Sequence, residues 1–139
     1  VTGVQTCALP ISTQTLLLMA GKGINPVGAR VLVLGLAFKE NCPDVRNTRV
    51  VDIIAAFAKV NAVVDVYDPW VDADEAVHEY GIRPSAAPQH GSYDAIIIAV
   101  AHEQFKALGA AGIRAFGKSD SIIYDVKYVL PRDAVDGRL

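Results

Sequence analysis

Four short apolar segments, rich in Val, Ile, Leu and Ala, stand out along the chain. They are residues 31–34, 62–67, 95–100 and 121–126. Runs of this kind are typical of strands that are buried on both faces of a parallel sheet. Asp68-Pro69 ends the second segment, because proline has no N–H for the ladder. The pattern therefore predicts four strands, with residues 95–100 as the central one.

Helical spacing alternates with these strands. Residues 48–60 have the spacing of a helix that covers a sheet with one apolar stripe. The apolar positions are Val50, Val51, Ile53, Ile54, Phe57 and Ala58. Shorter helices are predicted at residues 13–19, 72–80, 103–108 and 113–116. A brief additional strand is predicted at residues 82–85, ahead of a loop over residues 86–92.

This alternation of strands and helices predicts an α/β fold in a single domain. We expect a three-layer, doubly wound, mainly parallel sheet of the Rossmann-like type, with right-handed crossovers. Such sheets bind ligands beyond the carboxyl ends of their strands, where the strand order reverses. Four segments meet that description: the loop after Leu34, Asp68-Pro69, residues 101–103 and residues 125–127.

The loop after the first strand is the most informative of these segments. Residues 35–47 read GLAFKENCPDVRN, well beyond the usual length of about two to six residues, and such long loops are commonly functional. The loop carries Lys39 and Arg46 just before a helix start, where Asn47 or Thr48 can cap and free amides favour an anion. A diphosphate would use both cations. Alternatively, Lys39 and Arg46 only pair with Glu40 and Asp44 on the surface.

The glycine-rich loop that usually binds a dinucleotide is not found after this strand. Gly21, Gly23 and Gly28 have a superficially similar spacing, but they precede the first strand and cannot place amides at its helix. Only Gly35 follows the strand.

Composition narrows the classes of function. The chain has 139 residues, of which 52% are hydrophobic, and its 13 basic and 15 acidic residues are scattered, so we predict neither a nucleic-acid nor a membrane surface. No apolar run approaches the roughly 20 residues that span a bilayer. Cys7 and Cys42 give no disulfide framework, and no signal peptide is evident, so a cytoplasmic location is predicted.

The first residues differ from the rest of the chain. Residues 1–11 carry no charged side chain and no regular spacing of apolar residues, and this segment resembles the translation of a sequencing-adapter read-through. We predict that residues 1–11 are a non-native segment on a truncated gene product. Residues 12–30 are then the end of a connecting helix with its linker, and residues 31–139 are the folded domain.

Three separated motifs carry a family resemblance. They are the segment VLVLGLAFK at residues 31–39, Asp44-Val45-Arg46-Asn47, and Tyr67-Asp68-Pro69. Together they resemble the C-terminal, UDP-binding domain of the UDP-glucose/GDP-mannose dehydrogenase family, and the match extends over nearly all of residues 12–139. The variants at residues 40–44 and 99–102 are most similar to the branch that oxidises UDP-N-acetylhexosamines.

The resemblance implies a function for residues 31–139, which would bind the nucleotide sugar. Enzymes of this family oxidise the C6 hydroxyl of a UDP-sugar with NAD, through a catalytic cysteine. That cysteine, the NAD-binding domain and the dimer-forming helices precede the segment seen here. The resemblance therefore implies a homodimeric full-length enzyme and a fragment that is inactive alone and holds no catalytic residue.

The resemblance also implies site residues by position. Phe38 and Lys39 would contact the UDP-sugar, and Arg46 would reach the NAD across a cleft between domains. Lys127, in Asp125-Val126-Lys127, would approach the substrate at a position where relatives often have arginine. A non-catalytic Rossmann-like module that binds a nucleotide or CoA is the alternative.

Three polar residues near these segments leave alternatives open. Cys42 lies in the loop but is not predicted to be the nucleophile, since the cysteine of the family lies upstream. His102 is either a base or, as we favour, a capping or ligand-facing residue. Asp68 either holds a ribose hydroxyl or is a turn residue before proline.

The remaining candidates are interpreted as structural. His78 and His90 are far in sequence from any cluster with ligand spacing, so no metal site is predicted. Trp70, Tyr124 and Tyr128 are predicted to be packing residues.

Overall fold

A computed structural model describes the backbone of residues 3–139 and the side chains of residues 9–139. The helices of this part are α1 (Gly3–Gly21), α2 (Val50–Lys59), α3 (Ala73–Tyr80) and α4 (Glu103–Arg114). The strands are β1 (Arg30–Leu34), β2 (Val63–Tyr67), β3 (Tyr93–Ile98), β4 (Gly117–Asp125) and β5 (Gly137–Arg138). A short 3₁₀ turn at Arg132–Ala134 precedes β5.

The strands form one parallel sheet in the order β2-β1-β3-β4-β5. β1 pairs with β2 on one side and with β3 on the other, so the strand order reverses between β1 and β3. A reversal of this kind opens a crevice at the carboxyl ends of the two strands. The predicted doubly wound parallel sheet is confirmed.

The side chains of β1 alternate between two apolar layers, as the pleat of a strand requires. Val31 and Val33 pack in a cluster with Ile53 and Phe57 of α2. The intervening residues, such as Leu32, pack in a second cluster with residues of α4. Helices therefore cover both faces of the sheet, which confirms the three-layer arrangement.

Helix α1 contains the predicted helix 13–19 and extends beyond it at its beginning. Ile11 and Met19 are buried in the α2 cluster, and the Tyr124 hydroxyl donates a hydrogen bond to the Gln14 side chain at 2.6 Å. Residues 1–2 and the side chains of residues 1–8, including Cys7, lie outside the described residues. The non-native origin of residues 1–11 stays a prediction.

Several element boundaries differ from the prediction. The strand predicted at residues 82–85 is wrong: the amide of Ser85 donates one hydrogen bond to Val66 of β2 at 2.7 Å, and Pro84 lacks the N–H that a longer ladder needs. β4 begins at Gly117, ahead of the predicted start, and a register shift separates its two pairings with β3. The predicted break between two short helices is present as Gly109, which interrupts α4 with a φ of 68°.

Candidate functional site

A pocket of about 310 Å³ lies at the carboxyl ends of β1 and β3, where the strand order reverses. It is formed by the loop after β1, the first residues of α2, the loop after β3 and the loop after β4. Its lining residues are Ala37, Phe38, Lys39, Glu40, Asn47, Thr48, Arg49, Val50, Ala99, Val100, Ala101 and Lys127. The pocket is at the place that the sheet topology predicts for a ligand.

Gly35 makes the close approach of the two central loops possible. Its φ is 105°, and a Cβ at this position would lie 2.5 Å from the Cβ of Val100. The Gly35 amide also donates a hydrogen bond to the carbonyl of Tyr67 at 2.8 Å. Any other residue here would push the β1 loop away from the β3 loop.

The carboxylate of Asp68, at the end of β2, holds the start of the β1 loop. Its Oδ2 accepts hydrogen bonds from the amides of Leu36 and Ala37, at 2.7 and 2.8 Å, and its Oδ1 accepts one from the amide of Trp70 at 2.8 Å. The Nε2 of His102 lies 2.9 Å from Oδ2. Because Asp68 is 5% exposed and these donors occupy both oxygens, the structure favours the turn-residue interpretation over a ribose contact.

Two opposing effects set the pKa of Asp68. Burial raises this pKa, and the hydrogen bonds from His102 and from the amides of Leu36, Ala37 and Trp70 lower it. The hydrogen bonds outweigh the burial, so the pKa lies below its usual value. Asp68 is therefore a carboxylate at neutral pH.

His102 is buried beside Asp68 and does not line the pocket. Its Nδ1 lies 2.9 Å from the amide nitrogen of Asn41. A backbone N–H can only donate, so Nδ1 is the acceptor and Nε2 carries the proton that is donated to Asp68. His102 is the N-cap residue of α4, as the capping interpretation expected, but it caps through its carbonyl, which accepts hydrogen bonds from the amides of Phe105 and Lys106, and not through its side chain. The ring is occupied by Asn41 and Asp68 and does not face the pocket.

Phe38 and Lys39 both line the pocket, as expected for residues that contact a ligand. The Phe38 side chain is 54% exposed, and its amide donates a hydrogen bond to the carbonyl of Asp44 at 2.7 Å. Within the described part of the chain, Lys39 forms no ion pair, either with Glu40 or with another acid. The surface pairing considered for Lys39 is therefore not observed.

Arg46 lies apart from the pocket lining. Its Nε is 3.1 Å from Oδ1 of Asp44, and the Arg46 side chain is 71% exposed. The hydrogen bonds from the Arg46 side chain and amide lower the pKa of the Asp44 carboxyl. The surface pairing thus occurs for Arg46, and its contact with NAD stays a prediction.

Lys127 is brought to the pocket by a second buried carboxylate. Oδ1 of Asp125, at the end of β4, accepts hydrogen bonds from the amides of Lys127 at 3.2 Å and Val129 at 3.1 Å. Oδ2 accepts one from the amide of Leu130 at 2.8 Å. The structure therefore brings Phe38, Lys39 and Lys127 together from two distant parts of the sequence.

Arg49 is a pocket residue that the sequence analysis did not select. It precedes α2 and lines the pocket, and its Nε is buried with no hydrogen-bond partner among the described residues. The sequence analysis used only the apolar stripe of α2, which does not include Arg49. The signal that could have identified Arg49 is its position at the start of the helix, next to the ligand-binding end of the sheet. The N-cap residue of α2 is Arg49, with no side-chain cap hydrogen bond, where Asn47 or Thr48 was predicted. The Thr48 hydroxyl nevertheless accepts a hydrogen bond from the amide of Val50 at 3.3 Å.

The packing residues and Cys42 have mixed surroundings. Cys42 is half-buried and is not a pocket-lining residue. The Trp70 indole donates a hydrogen bond to the Gln104 side chain at 2.9 Å, and Tyr124 is buried, as predicted. Tyr128 is 59% exposed and carries the Arg138 guanidinium over its ring.

Other features of the described residues add no chemistry to this site. No group of three or more His, Cys, Asp or Glu side chains in residues 9–139 is placed to hold a metal ion. A larger depression of about 570 Å³ beside β5 holds none of the predicted site residues. None of the helices in the described part is both long and apolar enough to cross a membrane.

Known proteins resemble this chain in both sequence and fold. Residues 32–132 match the family model described as "UDP-glucose/GDP-mannose dehydrogenase family, UDP binding domain". Over 129 residues, or 93% of the chain, the sequence is 54% identical to a UDP-N-acetyl-D-glucosamine 6-dehydrogenase of Pseudomonas aeruginosa and 51% identical to one of Salmonella typhi. The chain spans only 31% and 30% of the length of these relatives.

Solved structures support the same fold. An NDP-N-acetyl-D-galactosaminuronic acid dehydrogenase from Methanosarcina mazei Go1 superposes with a TM-score of 0.81 at 24% identity, covering 94% of this chain and 27% of its own. A UDP-glucose dehydrogenase from Pyrobaculum islandicum superposes with a TM-score of 0.69 at 27% identity, covering 94% of this chain and 28% of its own.

Proposed function

The chain belongs to the UDP-glucose/GDP-mannose dehydrogenase family, and we propose that residues 31–139 are the UDP-sugar-binding domain of an NAD-dependent UDP-N-acetylhexosamine 6-dehydrogenase. The branch is supported by the two UDP-N-acetyl-D-glucosamine 6-dehydrogenases that are 54% and 51% identical to the chain. N-acetylglucosamine and N-acetylgalactosamine are the sugars that we consider.

The observation that carries this proposal is the convergence of Phe38, Lys39 and Lys127 on one pocket at the reversal point of the sheet. The two ammonium groups have no ion pair within the described part of the chain, so their charge is available to an anion. Thr48, Arg49 and Val50 at the start of α2 line the same pocket, and helix N-termini favour phosphate. The exposed ring of Phe38 offers an apolar surface to the base or the sugar.

The size of the pocket fits part of a nucleotide sugar. Its volume of about 310 Å³ is at the lower end of the range for small-molecule sites, about 300 to 1,000 Å³. We therefore assign the nucleotide half to this pocket and leave the reacting sugar to a facing surface, which the family supplies from its other domain. On this proposal the fragment is inactive alone.

The NAD site belongs to another part of the full-length enzyme in this proposal. The β1 loop does not form the glycine-rich turn that binds the diphosphate of a dinucleotide, because its only glycine, Gly35, is packed against Val100. Bound NAD would accept the hydride from the sugar. We propose that the exposed Arg46 contacts it from this side of the cleft. The homodimer and the cytoplasmic location belong to the same proposal. The family resemblance is the support for the homodimer, and the cysteine content and the lack of an evident signal peptide are the support for the location.

Calorimetric titration of the 139-residue chain with UDP, UMP and uridine tests the proposal. We expect binding to weaken as phosphates are removed, because Lys39, Lys127 and a helix N-terminus act on the diphosphate. Equal affinity for the three compounds would contradict the proposed diphosphate site. Titration with CoA addresses the alternative module, since tighter binding of CoA than of UDP would favour that class.

A further inference from the structure

We propose that His102 is a positioning residue for nucleotide binding, which acts by fixing the part of the β1 loop that carries Phe38 and Lys39. The inference rests on the proposed function, because it concerns the same pocket. His102 itself does not line that pocket and so is not a catalytic residue.

The start of the loop is held directly by a buried carboxylate. The amides of Leu36 and Ala37 donate to Oδ2 of Asp68 at 2.7 and 2.8 Å. Because the carboxylate is charged, these hydrogen bonds are stronger than those between neutral groups. The backbone is therefore fixed up to Ala37.

The loop is held again at Asn41, through the His102 ring. The Asn41 amide donates to Nδ1 of His102 at 2.9 Å, and Nε2 of His102 donates to the same Oδ2 of Asp68 at 2.9 Å. The Asn41 side chain adds a third contact, since its Oδ1 accepts a hydrogen bond from the amide of Glu103 at 2.9 Å. Asn41 is thus bound to both the side chain of His102 and the first turn of α4.

Lys39 lies midway between these two fixed points. A single residue, Phe38, separates it from Ala37, and a single residue, Glu40, separates it from Asn41. The Lys39 side chain has no ion pair within the described residues. Its placement at the pocket is therefore determined by the backbone on either side. If the contact at Asn41 were lost, the next restraint on that side of Lys39 would be at Asp44, whose carbonyl accepts the hydrogen bond from the Phe38 amide.

The His102 ring is rigidly placed. The side chains of His102 and Asp68 are both 0% exposed, and the ring packs against Phe105 and Trp70 with centroid distances of 5.4 and 6.3 Å. Both ring nitrogens are hydrogen-bonded, so rotation of the buried ring would leave buried polar groups without partners. The ring therefore transmits the position of Asp68 to Asn41.

A double-mutant cycle separates positioning from general destabilisation. UDP affinity would be measured for the chain and for His102→Ala, Lys39→Ala and the double variant, with unfolding midpoints to confirm that each is folded. We expect His102→Ala to weaken UDP binding about 10-fold when Lys39 is present and by less than about 2-fold when it is absent, because coupled residues are not additive. The same fold-loss in both backgrounds, or no loss in either, would overturn the inference.

A second variant covers the case in which His102→Ala does not fold. Glycine tolerates the φ of 54° at position 41. Asn41→Gly removes the side-chain hydrogen bond to the Glu103 amide and leaves the buried His102–Asp68 pair intact. We expect a smaller loss of UDP affinity, about 3-fold, that also disappears in the Lys39→Ala background. An additive effect here would count against the inference in the same way.

The outcomes distinguish this inference from the function on which it rests. If the unaltered chain does not bind UDP, both fail. If the chain binds UDP and Lys39→Ala weakens that binding, but neither His102→Ala nor Asn41→Gly changes it, only the positioning role of His102 is wrong.

Discussion

Gly35 and Val100 approach so closely that a Cβ on Gly35 would lie 2.5 Å from the Cβ of Val100 and 2.9 Å from its backbone nitrogen. The contact joins the loop after β1 to the loop after β3, which together form two walls of the pocket. Because part of the obstacle is backbone, a rotamer change cannot relieve it. The shape of the binding site thus depends on the absence of one methyl group.

Replacement of Gly35 by alanine should destabilise the fold and weaken UDP binding together. The added methyl causes overpacking, and a φ of 105° is unfavourable for alanine, for a total of about 3 kcal/mol. Gly23→Ala is the matched control, since Gly23 has a φ of 74° and nothing within 4 Å of the added carbon; we expect a loss of about 1 kcal/mol. Urea denaturation measures the free energy of unfolding of both variants, and equal losses of stability would contradict the steric argument.

Acid stability should depend on Asp68. Its pKa is lower in the folded state than in the unfolded chain, so its contribution is fully present above the unfolded pKa of about 3.9 and is lost as the pH falls through the folded pKa. The stability advantage of the unaltered chain over Asp68→Asn should therefore shrink below about pH 4. Denaturation curves between neutral pH and about pH 2 measure this difference, and an advantage that grows on acidification would disprove the assigned shift.

Asp125 should act on UDP through Lys127. The Asp125 carboxylate accepts hydrogen bonds from the amides of Lys127, Val129 and Leu130, and its removal frees this turn. Asp125→Ala should therefore lower UDP affinity by about as much as Lys127→Ala, roughly 5-fold to 10-fold. Asp120 lies exposed on the same strand, and Asp120→Ala should leave affinity unchanged. Calorimetry of the three variants decides; normal UDP affinity in Asp125→Ala would show that the turn does not need its carboxylate.

Arg46 should be dispensable for UDP binding by this chain. The side chain is exposed and pairs with Asp44 outside the pocket, so Arg46→Ala should change the UDP dissociation constant by less than about 2-fold. The same titration measures it. A loss as large as that of Lys39→Ala would place Arg46 on the substrate instead of the proposed cofactor side.

Periodicity was sufficient for the central strands because β1 and β3 are buried on both faces and leave continuous apolar runs. The run at residues 95–100 predicted β3 to within two residues at each end. β5 has only two residues and half-buried side chains, so it leaves no such run. The strand predicted at residues 82–85 failed because its apolar content did not reveal that it makes a single backbone contact with β2.

The sequence predicted that the loops carrying Lys39 and Lys127 meet at one edge of the sheet, because both follow strands, and both residues line the pocket; their contact with a ligand stays a prediction. The roles of Asp68 and His102 were not predictable, because every hydrogen bond that occupies their side chains, apart from that of the Trp70 amide, comes from a residue 31 to 61 positions away along the chain. A sequence shows a carboxylate or an imidazole at the end of a strand, but it does not show whether backbone amides already satisfy it. Arg49 was missed for a related reason, since its place at the pocket depends on where α2 begins.

The most direct test of the central claim compares two lysines of the same chain. Lys39 lines the pocket, whereas Lys59 lies at the opposite end of α2 and carries the same charge. Titrated with UDP, Lys39→Ala should bind about 10-fold more weakly than the unaltered chain, the loss of one charge-assisted contact, and Lys59→Ala should bind normally. Equal affinity in both variants would contradict a diphosphate site at the carboxyl ends of β1 and β3.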